Sequence, residues 1–202
     1  MRQSLVPALL VGSLLIGGCG STSNIRSSAP GTDSVSVGDA ARYQRYATVV
    51  VRDFVDRTDK DKIKADALEA YNAELQRATR DYADMLAGEI RSTGAFAEVL
   101  REPSAGDALV IDGSITRYTS GNAALRLLIG FGAGSSYFDA TVDLTDQMTG
   151  EQLGHVVVDR NSWGLGGGIA AGQTVEGFMR NSAKKIAEDL ADLKTGTTAA
   201  SK

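Results

Sequence analysis

Few residues in this chain are equipped for covalent or coordination chemistry. Its 202 residues include one cysteine, Cys19, and one histidine, His155. A lone Cys forms no internal disulfide and no multi-cysteine metal centre. A lone His excludes a multi-histidine metal cluster. A general base needs a nucleophile or substrate proton within hydrogen-bond reach. His155 stands beside Val156, Val157 and Val158 in a predicted strand, and no GxSxG pattern accompanies it. A structural or surface imidazole is the plainer reading. The alternative is a hydrolase built from His155, Asp139 and a serine. Asp139 and Asp143 share one face of a predicted strand, and Asp146 follows at its turn. Carboxylates can hold a hard cation, but calcium-loop spacing is absent, so a solvated strand face is the default. Trp163 ends the return strand and reads as an anchoring core residue. No cofactor and no metal are expected.

Two glycine-rich stretches invite a nucleotide-binding reading, and their context argues against it. Gly130-x-Gly132-x-Gly134 is followed by SSYFDATVDL, which alternates as a strand, whereas a phosphate cradle needs a helix N-terminus there. Gly166-x-Gly168-x-x-Ala171 does precede a helix. No further strand then follows to complete a βαβ unit or supply a ribose-binding acid. Glycines that allow sharp turns or close backbone approach are the simpler account. The charge is nearly balanced, with 21 basic and 25 acidic residues and a net charge of −4. Nucleic-acid affinity comes mainly from cationic contacts to phosphate, so no nucleic-acid partner is expected.

The surroundings of Cys19 carry the clearest signal. Arg2 and the amino terminus form a short positive region, and Leu5 to Ile16 form an apolar stretch. That stretch is shorter than the ~20 residues of a comfortable membrane-spanning helix. It has the organisation of a secretory signal peptide. Its ending, Leu15-Ile16-Gly17-Gly18-Cys19, resembles the lipobox of bacterial lipoproteins, with Ile16 where the best-known pattern has Leu. The resemblance implies cleavage between Gly18 and Cys19 and a diacylglycerol on the Cys19 sulfur. Gly20, rather than Asp, follows the cysteine, which implies sorting to the outer membrane of a Gram-negative cell. Acyl chains contribute ~0.8 kcal/mol per buried CH₂, so several chains anchor firmly. The expectation is a domain facing the periplasm on a lipid anchor.

The remaining chain must position whatever the domain presents. Residues 19–42 begin with the lipidated cysteine and are rich in Ser, Gly, Thr and Ala, which reads as a flexible tether. Residues 43–194 form a single α/β domain, and residues 195–202 a disordered tail. Tyr46 to Val55 is rich in β-branched residues and predicts a central strand. Leu68, Tyr71, Leu75, Ala78, Tyr82, Leu86 and Ile90 recur at spacings of three and four, predicting a helix over 66–92. Asp66 is its predicted N-cap and Gly94 its stop. Short strands are predicted over 96–101 and 108–118. Residues 137–145 alternate apolar and polar positions, turn at Thr149-Gly150 and return over 153–163. A last helix is predicted over 172–193. The order β-α-β-β-β-β-α predicts a mixed sheet of about five strands with two long helices packed on it.

One constellation resembles a known family. ALRLLIGFGAG at 124–134, the DLTDQMTGEQL hairpin and the later glycine-rich approach to a terminal helix are similar to bacterial lipoproteins described as domain of unknown function 4410. TVVVRDF and LVIDGSIT fit as well. The resemblance covers most of residues 43–194. More distantly, the fold is similar to the periplasmic α/β domains of TolB and of curli-secretion-type lipoproteins. It implies a fold and a compartment, and no catalytic residue. Leu125, Leu127, Leu128, Ile129 and Phe131 form an apolar run within this constellation. If exposed, it would contact another subunit, an envelope protein or a membrane surface. Packing over the domain's own sheet is the simpler reading. The functional expectation is a non-enzymatic binding or assembly accessory of the cell envelope. The alternatives are a subunit of an oligomeric secretion-channel-like assembly, lined by the 137–163 hairpin, and the lipid-anchored hydrolase.

Overall fold

The computed structural model describes residues 25–26, 37–61, 63–119, 137–158 and 174–197. In chain order these form β1 (Ile25–Arg26), α1 (Val37–Gln44), β2 (Thr48–Val51), β3 (Val55–Asp56), α2 (Leu68–Thr93), β4 (Glu98–Leu100), β5 (Leu109–Thr119), β6 (Tyr137–Asp146), β7 (Gln152–Val158) and α3 (Val175–Thr195). The architecture is the expected α/β type, a mixed sheet carrying two long helices. The sheet has seven strands rather than about five, in the order β1-β7-β6-β5-β2-β4, with β3 also pairing β5. β2 runs parallel to both β4 and β5, and β5, β6 and β7 form an antiparallel meander.

The extra strands arise at places where composition hides the pattern. The predicted strand over 46–55 divides in two. β2 pairs with Leu109–Ile111 of β5, and β3 pairs with Ser114–Ile115. Between them Phe54 turns into the core, with its ring 4.8 Å from that of Tyr82. Gly113 makes room for it. A Cβ at Gly113 would lie 2.9 Å from the Phe54 ring and 1.9 Å from the Thr141 carbonyl oxygen. Within the stretch read as a flexible tether, Ile25–Arg26 form a strand and residues from Val37 onwards a helix. Residues 37–42 are helical because Ala40 and Tyr43, three positions apart, are both buried on one helix face. The Tyr43 hydroxyl donates to the Leu153 carbonyl at 2.9 Å, fastening α1 to β7.

All the described helices pack on one face of the sheet. On β6, Phe138, Ala140, Val142 and Leu144 are buried there against Tyr82, Leu86, Ile90, Ile186 and Leu190 of the long helices. Burial of each large apolar side chain contributes roughly 1.5–3 kcal/mol. α2 begins at Leu68, two residues after Asp66, and its N-cap is Ala67 with no side-chain hydrogen bond; Asp66 is not the cap. Gly94 stops the helix in the left-handed conformation at φ 67°. α3 is capped by Thr174, whose hydroxyl accepts from Gly177 N at 3.1 Å, and ends at Gly196, φ 71°.

α2 and α3 point the same way. Near their N-termini, the Tyr71 hydroxyl reaches the Tyr118 carbonyl at 3.3 Å, and Tyr118 Oη lies 3.4 Å from Glu74. Halfway along, Tyr82 and Ser182 hydroxyls meet at 3.1 Å. At the C-terminal end, the Lys194 ammonium lies 5.9 Å from the Phe96 ring. The domain therefore has one end carrying both long-helix N-termini and an opposite end carrying the β6–β7 turn.

Candidate functional face

The second face of the sheet has no described helix on it. Because side chains alternate along a strand, it receives Asp139, Thr141, Asp143 and Thr145 from β6. β5 contributes Val110, Asp112 and Ser114, and β7 contributes His155 and Val157. Val50, Ala108 and Val110 form a small apolar cluster here, with Leu100 against it. It is separate from the main core.

A row of ionisable groups crosses this face at one level. Arg52 Nη1 lies 3.7 Å from Asp112 Oδ2. Asp112 is directly opposite Asp143, and Asp143 directly opposite His155. His155 Nδ1 is 2.6 Å from Asp143 Oδ1, in position for an Nδ1–H to donate to the carboxylate. Gln152 Nε2 donates to the same oxygen at 2.6 Å. Burial raises the Asp112 pKa; Arg52 opposes that shift and the like charge of Asp143 reinforces it. Two register positions along, Ser114 Oγ and Thr141 Oγ1 share a hydrogen bond of 2.9 Å.

This arrangement separates the residues of the hydrolase alternative. Asp139 is four residues from Asp143 along β6, about 13 Å at strand rise, and lies 4.0 Å from Arg117 Nη1. His155 is paired with Asp143, and Ser114 with Thr141, so the structure does not bring His155, Asp139 and a serine together. Asp143 was legible as a carboxylate on that face; its pairing with His155 needed the β6–β7 register.

Asp146 leaves the face altogether. It is fully buried, and its Oδ1 accepts the backbone N–H of Met148 at 2.7 Å and of Thr149 at 2.8 Å. Its Oδ2 accepts the Tyr46 hydroxyl at 2.6 Å and pairs with Arg45. The carboxylate is thus consumed in holding the β6–β7 turn against the start of β2. Among the described residues, no group of three or more His, Cys, Asp or Glu could hold a metal ion. The Tyr46–Asp146 contact spans 100 residues, and no local spacing signals it.

The hairpin of β6 and β7 belongs to the sheet on both sides. β5 pairs with one edge of β6 over ten positions, and β1 holds β7 at Val156 and His155. Phe138, Ala140, Val142 and Leu144 of β6 and Leu153, Val156 and Val158 of β7 are buried in the main core, while Val157 lies on the open face. No helix among the described residues is long and apolar enough to cross a membrane. Gly18 and Cys19, the run Leu125, Leu127, Leu128, Ile129 and Phe131, both glycine-rich stretches and Trp163 lie outside the described residues.

The fold and this two-sided sheet define a two-layer α/β domain. Residues 49–166, more than half of the chain, match the model of the family described as domain of unknown function (DUF4410), and the chain belongs to that family. The match begins in β2 and runs past the end of β7. None of the curated proteins matches the sequence. Two solved structures are similar in part. One is a leucine-to-methionine variant of the PelC dodecamer from Paraburkholderia phytofirmans, 16% identical, covering 73% of this chain and 88% of that one at a TM-score of 0.43. The other is a PelC dodecamer from the same organism, 16% identical, covering 74% and 89% at a TM-score of 0.41.

Proposed function

We propose that this chain is a lipoprotein of the bacterial outer membrane, anchored through Cys19 with its domain in the periplasm. It acts as a binding or assembly accessory of the cell envelope and has no catalytic activity of its own. The observation that carries the functional part is the two-sided sheet. Helices close one face, while the other presents a polar row; the Val50, Ala108 and Val110 cluster beside that row is buried. Val157, 38% exposed, adds apolar surface to that face. Polar groups mixed with modest apolar area suit a protein–protein contact. The lipobox-like LIGGC sequence supports the anchor. The Ser114 and Thr141 hydroxyls on this face are engaged with each other, which supports a non-catalytic role. The partner is a second copy of this chain or another envelope protein.

Photo-crosslinking in intact cells tests this reading. A photoreactive residue at Val157 is expected to give a reproducible adduct of defined mass. The same residue at Glu188, exposed on the helix side, is expected to give none. Leu127→Asp and Phe131→Asp test the apolar run in the same assay. Monomer alone at Val157, unaffected by either substitution, would overturn the proposal.

A further inference from the structure

β1 has a consequence for how an anchored domain would meet its membrane. Only residues 20–24 lie between Cys19 and Ile25. Fully extended, that connection spans about 20 Å. β1 is antiparallel to β7, with Ile25 opposite Val156 and Arg26 opposite His155. Stepping from Arg26 back to Ile25 therefore moves towards Val158, the end of β7 that lies level with the start of β6. At Ile25, β1 points back towards the end that also carries the N-termini of α2 and α3. To reach the opposite end, the chain would have to reverse at Ile25. It would then run about 13 Å along β7 from Val156 to Gln152 and pass the β6–β7 turn, using its whole length.

We propose that the end of the domain carrying the N-termini of α2 and α3 rests on the membrane surface, with the sheet standing away from it. This rests on the lipid-anchor reading of Cys19 and adds an orientation to it. The described residues at that end suit an interfacial position. Tyr137 is half-buried, with the Arg117 guanidinium 3.9 Å from its ring centroid. An amphipathic ring beside a cation is the combination found where headgroups meet water. β5 ends and β6 begins here, at Thr119 and Tyr137. The β6–β7 turn, with Met148 68% exposed, points into the periplasm and is free to meet envelope proteins.

The test uses the full-length protein, purified from membranes and reconstituted in vesicles of phosphatidylethanolamine and phosphatidylglycerol. Acylation occupies the native cysteine, so Lys64→Cys and Met148→Cys each offer one thiol for a fluorophore. Headgroup-nitroxide lipids are expected to quench the label at 64 several-fold more than the label at 148. Lengthening the 20–24 connection by fifteen Gly/Ser residues is expected to reduce that difference. Equal or reversed quenching in acylated, vesicle-bound protein would overturn the orientation while leaving the anchor intact. Protein that carries no acyl groups by intact mass and does not float with vesicles would overturn the anchor and the orientation together.

Discussion

The two faces of β6 differ at every position from Phe138 to Thr145, the apolar side buried and the polar side half-exposed. Phe138, Ala140, Val142 and Leu144 are buried under helices, while Asp139, Thr141, Asp143 and Thr145 alternate with them on the side that no described helix covers. One strand thus serves two purposes. Its apolar positions hold the fold, and its polar positions define what the domain presents. The physical difference is one of tolerance. Covered positions sit in close packing, where a lost methylene is felt. Open positions can change as long as buried polar partners are not orphaned.

The largest effect is expected at the centre of the covered face. Tyr82 is fully buried, with edge-to-face contacts to Phe54 and Phe138 at 4.8 and 4.7 Å. Tyr82→Ala should cost about 3–5 kcal/mol in urea unfolding. Tyr82→Phe should cost only about 1 kcal/mol, by losing the Ser182 hydrogen bond. A small effect of Tyr82→Ala would show that the helices do not close this face. Asp146→Asn comes next, at about 2–3 kcal/mol, because its carboxylate holds two turn N–H groups and the Tyr46 hydroxyl. By contrast, Thr145→Ala on the open face should stay within about 0.5 kcal/mol.

The smallest effects carry a sign that sharpens the comparison. Asp112 and Asp143 face each other across β5 and β6, and like charges so placed are destabilising. The folded-state pKa of Asp112 is raised, first by burial, so the folded state holds its proton more tightly than the unfolded chain. That contribution is complete below the ordinary carboxylate value and disappears as pH rises through the raised one. Asp112→Asn should therefore stabilise the protein by about 0.5 kcal/mol at neutral pH. The gain over wild type should shrink in acid. Asp56 has the opposite sign. Burial works against its carboxylate, yet Lys60 and the Thr58 hydrogen bonds outweigh burial and lower its pKa. Its contribution is present above the ordinary value and is lost as pH falls through the lowered one. The differences in melting temperature from wild type for Asp112→Asn and Asp56→Asn should change in opposite directions from pH 2 to 7.

Much of this fold was legible from periodicity. The seven apolar positions from Leu68 to Ile90, the alternation of β6 and the stops at Gly94 and Gly150 act through nearest neighbours, which a linear reading sees. α1 was missed because its burial depends on Tyr43 meeting Leu153, 110 residues away. β1 was missed because two residues carry no period and gain their identity from β7. The same limit applied to the candidate face. The Asp139–Asp143 side of β6 follows from alternation, but the row from Arg52 to His155 depends on the register of four strands. Asp146 reads like its neighbours in sequence and is instead consumed by the turn.

The proposed anchor and the orientation of the domain on the membrane both depend on the chemistry of Cys19. The most direct measurement is the intact mass of the protein isolated from the membrane fraction, followed by sequencing of its N-terminal peptide. The expected result is a chain that begins at Cys19, lacks residues 1–18 and carries the added mass of a diacylglycerol on the cysteine sulfur. A free Cys19 thiol, or a mature chain beginning at any other residue, would contradict the account.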